Sequence, residues 1–409
     1  MNNTPRGERL HIGIFGRRNA GKSSLLNAIT GQNAAVVSDV KGTTTDPVYK
    51  TMELLPIGPV VFIDTPGIDD EGELGKLRID KAKNILRKTD IALLVVDSEE
   101  GLGDFENEFI STFERMGVKY LTVYNKCDKC DSVESNPSDG IKVSAKTGQN
   151  INKLKELIAK TGADDEEKER LAADLLDSGD VVVLVTPIDA GAPKGRLILP
   201  QQQVIRDVLE AGAICVTVQP NELKEVFDKL KEPPKLVITD SQVFDEVSKI
   251  VPSHVGLTSF SILMARYKGV LEYAAVSAKK IDDIKDGDKV LIAEGCTHHR
   301  QCDDIGTVKI PRLLEKYTGA KPEYVFTSGG EFPDDLSAYK IIIHCGGCMQ
   351  NNCEMRYRLN SAKEAGIPMT NFGVAISYMQ GILPRACHQI TNYKSQSTNK
   401  SLQSKAPRS

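Results

Sequence analysis

Short apolar runs alternate along the chain with segments whose apolar positions recur every three or four residues. Between Leu10 and about Thr161 the runs are Ile12–Phe15, Val60–Asp64, Ile91–Val96, Tyr120–Tyr124 and Ile141–Val143. They are too short for helices and apolar on both faces, so they predict strands of a parallel sheet covered by helices on each side. A second series follows over about Leu171–Tyr267. It comprises Val181–Thr186, a helix after Pro200 with Val204, Ile205, Val208 and Leu209 on one face, then Ile214–Val218 and Leu236–Ile238. A third, over about Gly269–Thr391, contains Tyr273–Val276, Val290–Ala293 and Ile341–Ile343, all read as strands. The charged run Ala163–Arg170 has no apolar face and reads as a solvated helix end or linker. The pattern gives an α/β protein whose N-terminal nucleotide-binding domain (1–166) precedes two further α/β domains with mostly parallel sheets (171–267 and 268–391). A polar tail, 392–409, has nothing with which to bury a core and is expected to be disordered.

Composition narrows the class. Hydrophobic residues make up 40% and charged residues 26%, ordinary for a globular protein. The net charge of −4 gives no basic face for nucleic acid, and no apolar run approaches the length of a membrane span. Met1–Arg9 is polar and leads straight into a strand, without the look of a signal peptide, so the expected location is the cytoplasm. Nine cysteines in a reducing compartment point to metal rather than disulfides wherever they cluster.

The first run leads directly into Gly16-Arg17-Arg18-Asn19-Ala20-Gly21-Lys22-Ser23, followed by a helical stretch starting at Ser24. Strand, G-x-x-x-x-G-K-S and helix together form a P-loop: backbone N–H groups from Gly16 through Ala20, Gly21 and Ser24 wrap phosphate, and the helix N-terminus adds partial positive charge. Lys22 is placed to neutralise the β- and γ-phosphates, and Ser23 to give its hydroxyl to Mg²⁺. Four further elements follow in order. Thr44 and Thr45, within Gly42–Asp46, are candidates to sense the γ-phosphate, Thr44 through the metal. Asp64 is placed to hold the metal's water shell, and Gly67 to donate its N–H to the γ-phosphate. Asn125, Lys126 and Asp128 form the guanine-reading motif, because a carboxylate can accept from both N1–H and N2–H of guanine, a donor pair adenine lacks. Ser144, Ala145 and Lys146 cap the base. GTP and GDP are therefore the expected nucleotides.

These residues resemble the translation-factor-related GTPases, most closely the potassium-activated branch that includes the tRNA-modifying GTPase. Asn19 stands where that branch uses an asparagine as a K⁺ ligand, and Ile68 stands where Ras-like enzymes carry a catalytic glutamine. Since isoleucine cannot orient water, the resemblance implies that K⁺ supplies part of the charge neutralisation.

A second constellation lies in the third segment: Cys296, His298, His299, Cys302, Asp303 and Asp304, then His344, Cys345, Cys348 and Cys353. Both groups follow apolar strands, so they fall on loops at strand C-terminal ends, where open α/β sheets bind ligands. Thiolates so placed suit zinc or an iron–sulfur cluster, and buried structural cysteines are the third option. Cys127 and Cys130 form a lone C-x-x-C with no partner pair, and Cys215 lies in an apolar strand and reads as core.

A P-loop domain followed by C-x-H and H-C-x-x-C resembles the [FeFe]-hydrogenase maturation GTPases, the HydF family, across nearly the whole chain; the stretch Pro187–Pro200 is similar to that family's signature. The resemblance implies GTPase, dimerisation and cluster-binding domains, and a homodimer. It implies a [4Fe–4S] cluster on Cys296, Cys345 and Cys348, with a labile fourth site for which His298, His344 and Asp303 are the candidates. It further implies a scaffold that receives a di-iron precursor from radical-SAM maturases and delivers it to apo-[FeFe]-hydrogenase. Two other functions compete: an RNA-modification or ribosome-assembly GTPase with a metal-stabilised accessory domain, and a regulatory GTP switch with structural cysteines.

Overall fold

The computed structural model describes residues 7, 9–31, 48–65, 82–129, 140–163, 170–188, 197–296, 304–388 and 390. The chain divides into two compact units, Met1–Lys168 with Met349–Tyr357, and Glu169–Cys348 with Arg358–Ser409.

The first unit is built on a six-stranded sheet: β1 (Leu10–Phe15), β2 (Val48–Leu54), β3 (Gly58–Asp64), β4 (Ile91–Asp97), β5 (Lys119–Asn125) and β6 (Gly140–Lys142). The strand order is β2-β3-β1-β4-β5-β6, with only β2 antiparallel to its neighbour. Side chains alternate across the sheet. Ile12, Ile14, Leu93 and Val95 enter one core with Leu25, Leu26 and Ile29 of the helix Lys22–Thr30 and with Leu154 and Ile158 of the helix Ile151–Ala163. Phe15, Ile63, Ala92 and Leu94 enter the other, against Phe113 of the helix Asp104–Met116. One set of strands therefore feeds two cores, which explains their unbroken apolarity.

The second unit contains two four-stranded, all-parallel sheets. One has the order β10-β9-β7-β8, from β7 (Val181–Val185), β8 (Ile214–Val218), β9 (Leu236–Thr239) and β10 (Gly256–Ser259). The other is β12-β11-β13-β14, from β11 (Lys289–Ala293), β12 (Glu323–Thr327), β13 (Ile341–His344) and β14 (Met369–Asn371). Polar contacts join their covering helices: Asn371 Nδ2 donates to the Ser261 carbonyl at 2.9 Å, and the Arg385 guanidinium caps the carbonyls of Val251 and Pro252.

Three sequence expectations need correction. Tyr273–Val276 is not a strand but part of the helix Leu271–Ala278. Its buried residues, Leu271, Ala274, Ser277 and Ala278, follow a helical spacing, while Val276 is exposed. In the helix Leu199–Glu210 only Val204 and Val208 of the four apolar positions are buried, together with Gln201; Leu209 is exposed. Cys215 is half-buried rather than core, because β8 lies at a sheet edge. Thr44, Thr45, Gly67, Ile68, Cys130, His298, His299, Cys302, Asp303, most of the Ala163–Arg170 run, most of Pro187–Pro200 and the tail lie outside the described residues.

Candidate functional site

In the first unit the P-loop leaves β1 at its C-terminal end, in the centre of the sheet, where the connections diverge to β3 on one side and β4 on the other. Its glycines are sterically required. A Cβ on Gly16 (φ 139°) would lie 2.2 Å from the Val95 carbonyl oxygen, and one on Gly21 (φ 91°) 2.3 Å from Asn125 Nδ2. Asn19 between them takes a left-handed φ of 64°. The buried Lys22 ammonium donates to the carbonyls of Gly16 at 2.8 Å and Arg17 at 2.6 Å, so the charge sits inside the loop. Arg17 is held from outside by Glu106, Nε to Oε1 at 2.8 Å and Nη2 to Oε2 at 3.1 Å.

The Ser23 hydroxyl donates to Asp64 Oδ2 at 2.6 Å, bringing together the two predicted Mg²⁺-side residues from different elements. Asp64 Oδ1 is buried with no hydrogen-bond partner among the described residues. Burial raises the Asp64 pKa, against the opposing pull of Ser23, Lys22 and Lys50. A buried, unsatisfied carboxylate oxygen beside a serine hydroxyl is a hard-oxygen donor set that fits a hydrated Mg²⁺.

The base-reading residues form one network. Asn125 Nδ2 donates to the Ala20 carbonyl at 3.0 Å and its Oδ1 accepts from the Ala145 N–H at 3.1 Å, so this buried amide ties the P-loop to the base-capping loop. Lys126 bridges to Asp97 at 2.7 Å. The Ser144 hydroxyl donates to Asp128 Oδ1 at 2.5 Å and accepts from the Thr147 N–H at 3.1 Å. The Ser144 bond, chiefly, holds the exposed Asp128 below the ordinary carboxylate range, ionised and aimed. Lys146 is exposed beside this network.

The cysteines gather at the corresponding point of the third sheet. β11 lies between β12 and β13, and its register pairs Ala293 with His344. The loops carrying Cys296 and Cys345 therefore leave adjacent strand ends together. The Cys345 N–H donates to the Ala293 carbonyl at 2.9 Å. Its sulfur accepts N–H bonds from Gly295 at 2.9 Å and Gly347 (φ 64°) at 3.3 Å, one from each loop. Burial, then the charges of Cys345, Cys348, Glu294 and Asp304, push the Cys296 thiol up to about 12. Burial also raises Cys345, with the two N–H bonds opposing. Among the described residues no group of three or more His, Cys, Asp or Glu side chains closes around a metal ion.

Near this site Glu294 and Arg358 carry no motif, while Asp304 belongs to the constellation read from the sequence. Glu294 is buried immediately before the Cys296 loop, and Asp304 caps the following helical segment through Thr307 N at 2.8 Å. Arg358 is fully buried, with Nη1 3.0 Å from His344 Nε2. A charged residue abutting an apolar strand, as at Glu294, was the available sequence signal; Arg358, fourteen residues beyond His344, had none. Cys353 belongs to the first unit, where its sulfur accepts from Arg356 at 3.3 Å, and Cys387 is buried.

Strand, P-loop and helix, Ser23 beside Asp64, and Asn125 and Asp128 braced by Ser144 and Ala145 define a P-loop GTPase domain. A family model described as a 50S ribosome-binding GTPase matches residues 11–126, and those of the hydrogen maturase F dimerization and tetramerization domains match 171–269 and 272–389. The last two together span more than half of the chain, which belongs to the hydrogen maturase F family. Among relatives, GTPase Der of Wolinella succinogenes is 37% identical over 167 residues, 37% of this chain and 35% of that protein. The tRNA modification GTPase MnmE of Thiobacillus denitrificans is 34% identical over 149 residues, 36% of this chain and 33% of that protein. The chain spans about a third of the length of these curated relatives. A solved structure of Aquifex aeolicus Era matches at 21% identity over 51% of this chain and 93% of that one, with a TM-score of 0.34.

Proposed function

We propose that this chain is a GTP-hydrolysing maturation factor whose second unit carries a [4Fe–4S] cluster on Cys296, Cys345 and Cys348. It serves as scaffold and carrier for a di-iron precursor, taken from radical-SAM maturases and passed to apo-[FeFe]-hydrogenase. The observation that carries this reading is the pair of N–H bonds onto the Cys345 sulfur, one from each loop, where the adjacent strands β11 and β13 end together. Backbone N–H groups aimed at sulfur suit an iron–sulfur centre. When bound, the cluster supplies an iron site for attaching cargo; the protein's part is to hold three irons firmly. Domain models named for dimerization and tetramerization support self-association, and the edge strand β8, with Ile214 exposed, offers a pairing surface.

In the first unit Lys22, Ser23, Asp64 and Asp128 bind Mg²⁺ and guanine nucleotide; Thr44, Thr45 and Gly67 close on the γ-phosphate. K⁺ at Asn19 takes part of the charge-neutralising role, since Ile68 cannot orient water. Anaerobic purification with iron, sulfide and zinc analysis, followed by transfer of a loaded precursor to apo-hydrogenase, tests the whole reading. Stoichiometric zinc, or hydrogenase activation without this protein, would sink it. Equal GTP turnover in K⁺ and Na⁺ at matched ionic strength, with binding intact, would remove the potassium role alone.

A further inference from the structure

Arg358 and His344 are both fully buried next to the Cys345 loop. Arg358 Nη1 lies 3.0 Å from His344 Nε2, Nη2 donates to the Gly329 carbonyl at 2.8 Å, and the guanidinium packs 5.0 Å from the centroid of the Phe332 ring. His344 Nδ1 lies 2.7 Å from the Cys345 carbonyl oxygen. A guanidinium has no acceptor and keeps its proton, so His344 Nε2 must be the acceptor in that contact. The imidazole proton then sits on Nδ1 and is donated to the Cys345 carbonyl. The direction of the whole chain, Arg358 to His344 to Cys345, is set by chemistry. Both ring nitrogens are committed, and no lone pair remains for iron while Arg358 is in place.

From this geometry we infer that Arg358 is a positioning residue: its buried charge offsets the negative charge of the cysteine site, and through His344 it fixes the Cys345 loop, so that His344 supports the cluster instead of ligating it. The inference rests on the cluster reading above and names two residues that would tune it. Burying a positive charge is costly alone and is offset by nearby negative charge. Cluster thiolates would supply that charge, and the His344 ring relays the bond from Arg358 to the Cys345 carbonyl. Residues behind the ligands typically change metal affinity by about 10–100-fold, and charge near a cluster shifts its potential.

The test uses the full-length chain. With ¹⁵N-histidine labelling, wild-type His344 should be the Nδ1–H tautomer; an Nε2–H tautomer, or imidazole nitrogen coupling to the reduced cluster traced to His344, would overturn the inference. After anaerobic reconstitution, Arg358→Gln should release iron to a chelator about 10–100-fold faster and shift the cluster potential negative. Arg358→Lys should keep the potential near wild type but still lose iron faster, because an ammonium cannot span His344 and Gly329 as a fork does. If Arg358→Gln does not fold, the lysine variant and the tautomer decide. Wild-type iron retention and potential in both variants would overturn the role of Arg358 and leave the cluster reading standing. A wild-type protein that takes up no iron and sulfide would overturn the cluster reading, and this inference with it.

Discussion

The P-loop and the Cys296 loop occupy the same place in two different sheets. β1 sits between β3 and β4, β11 between β12 and β13, and in each case the chain leaves a central strand end where connections part to opposite sides. The two regions hold negative charge in opposite ways. In the first, Asp128 rests ionised, held below its usual range by Ser144, and phosphate meets backbone N–H groups and Lys22. In the second, burial raises the Cys296 and Cys345 thiols, and Cys345 and Cys348 raise Cys296 further. On the reading proposed above, a nucleotide meets charged groups already in place, whereas metal would have to displace protons as it binds. Each site should consequently fail alone.

The largest effect is expected at the cysteines. Cys345→Ala, Cys296→Ala or Cys348→Ala should abolish the cluster, read as iron and sulfide, while GTP affinity stays at wild type. A cluster retained in Cys345→Ala would show that the three thiols are not its ligands. The converse change, Lys22→Ala, should lower nucleotide affinity roughly a hundredfold by removing a charge-assisted contact, with iron content unchanged. Asp128→Asn comes next: the acceptor pair for guanine is lost, GTP affinity falls about 10–100-fold, and xanthine nucleotides gain. Undiminished preference for GTP over ATP and XTP would refute that base-reading assignment.

The opposite pKa directions separate the sites on a pH scale. The folded Cys296 thiol lies above its ordinary value of 9.0. A group raised in this way favours the fold while protonated, so the stability it gives is present below about pH 9 and lost as the unfolded thiol ionises above it. The metal-free protein should melt earlier as pH rises from 8 to 10, and the cluster-loaded protein should resist. A metal-free melting curve that did not move with pH would argue that Cys296 is less buried than described.

How much of each site was legible in the sequence follows from the same difference. A phosphate site is made largely of backbone, so its glycines and its lysine must be contiguous; Gly16, Gly21 and Lys22 could be read within one short run. Asp64 and Asn125 could be read because each ends a strand, and Ser144 because it closely follows one. At the cysteines the residue types could be read, but not their surroundings. The N–H groups of Gly295 and Gly347 carry no side-chain signal, and Arg358 lies on a helix where arginine is commonplace. The misread Tyr273–Val276 has a related cause. Four residues rich in alanine fit either a buried strand or one face of a helix, and tertiary packing of Leu271, Ala274 and Ala278 decided it.

The smallest expected effect sharpens the comparison most, because it alters one proton donor and no ligand. The Ser144 hydroxyl donates to Asp128 Oδ1 at 2.5 Å and anchors the base-capping turn by accepting from Thr147 N. Ser144→Ala removes both bonds but leaves the carboxylate in place, so GTP affinity should fall only a few-fold near neutral pH. The effect should grow with acid. Guanine is read only by the ionised carboxylate, so its contribution exists above the Asp128 pKa and disappears as pH falls through it. The Ser144 bond holds that pKa down, and without it the pKa rises toward its usual value. Titrated by fluorescent-nucleotide binding, the variant should therefore lose guanine preference at a higher pH than wild type, while binding through the phosphates persists in both. Superimposable pH profiles would mean that Ser144 only shapes the turn. A shifted profile, with cluster iron unchanged, would establish that the first site keeps its charge ready through a hydroxyl, where the second waits for metal to create it.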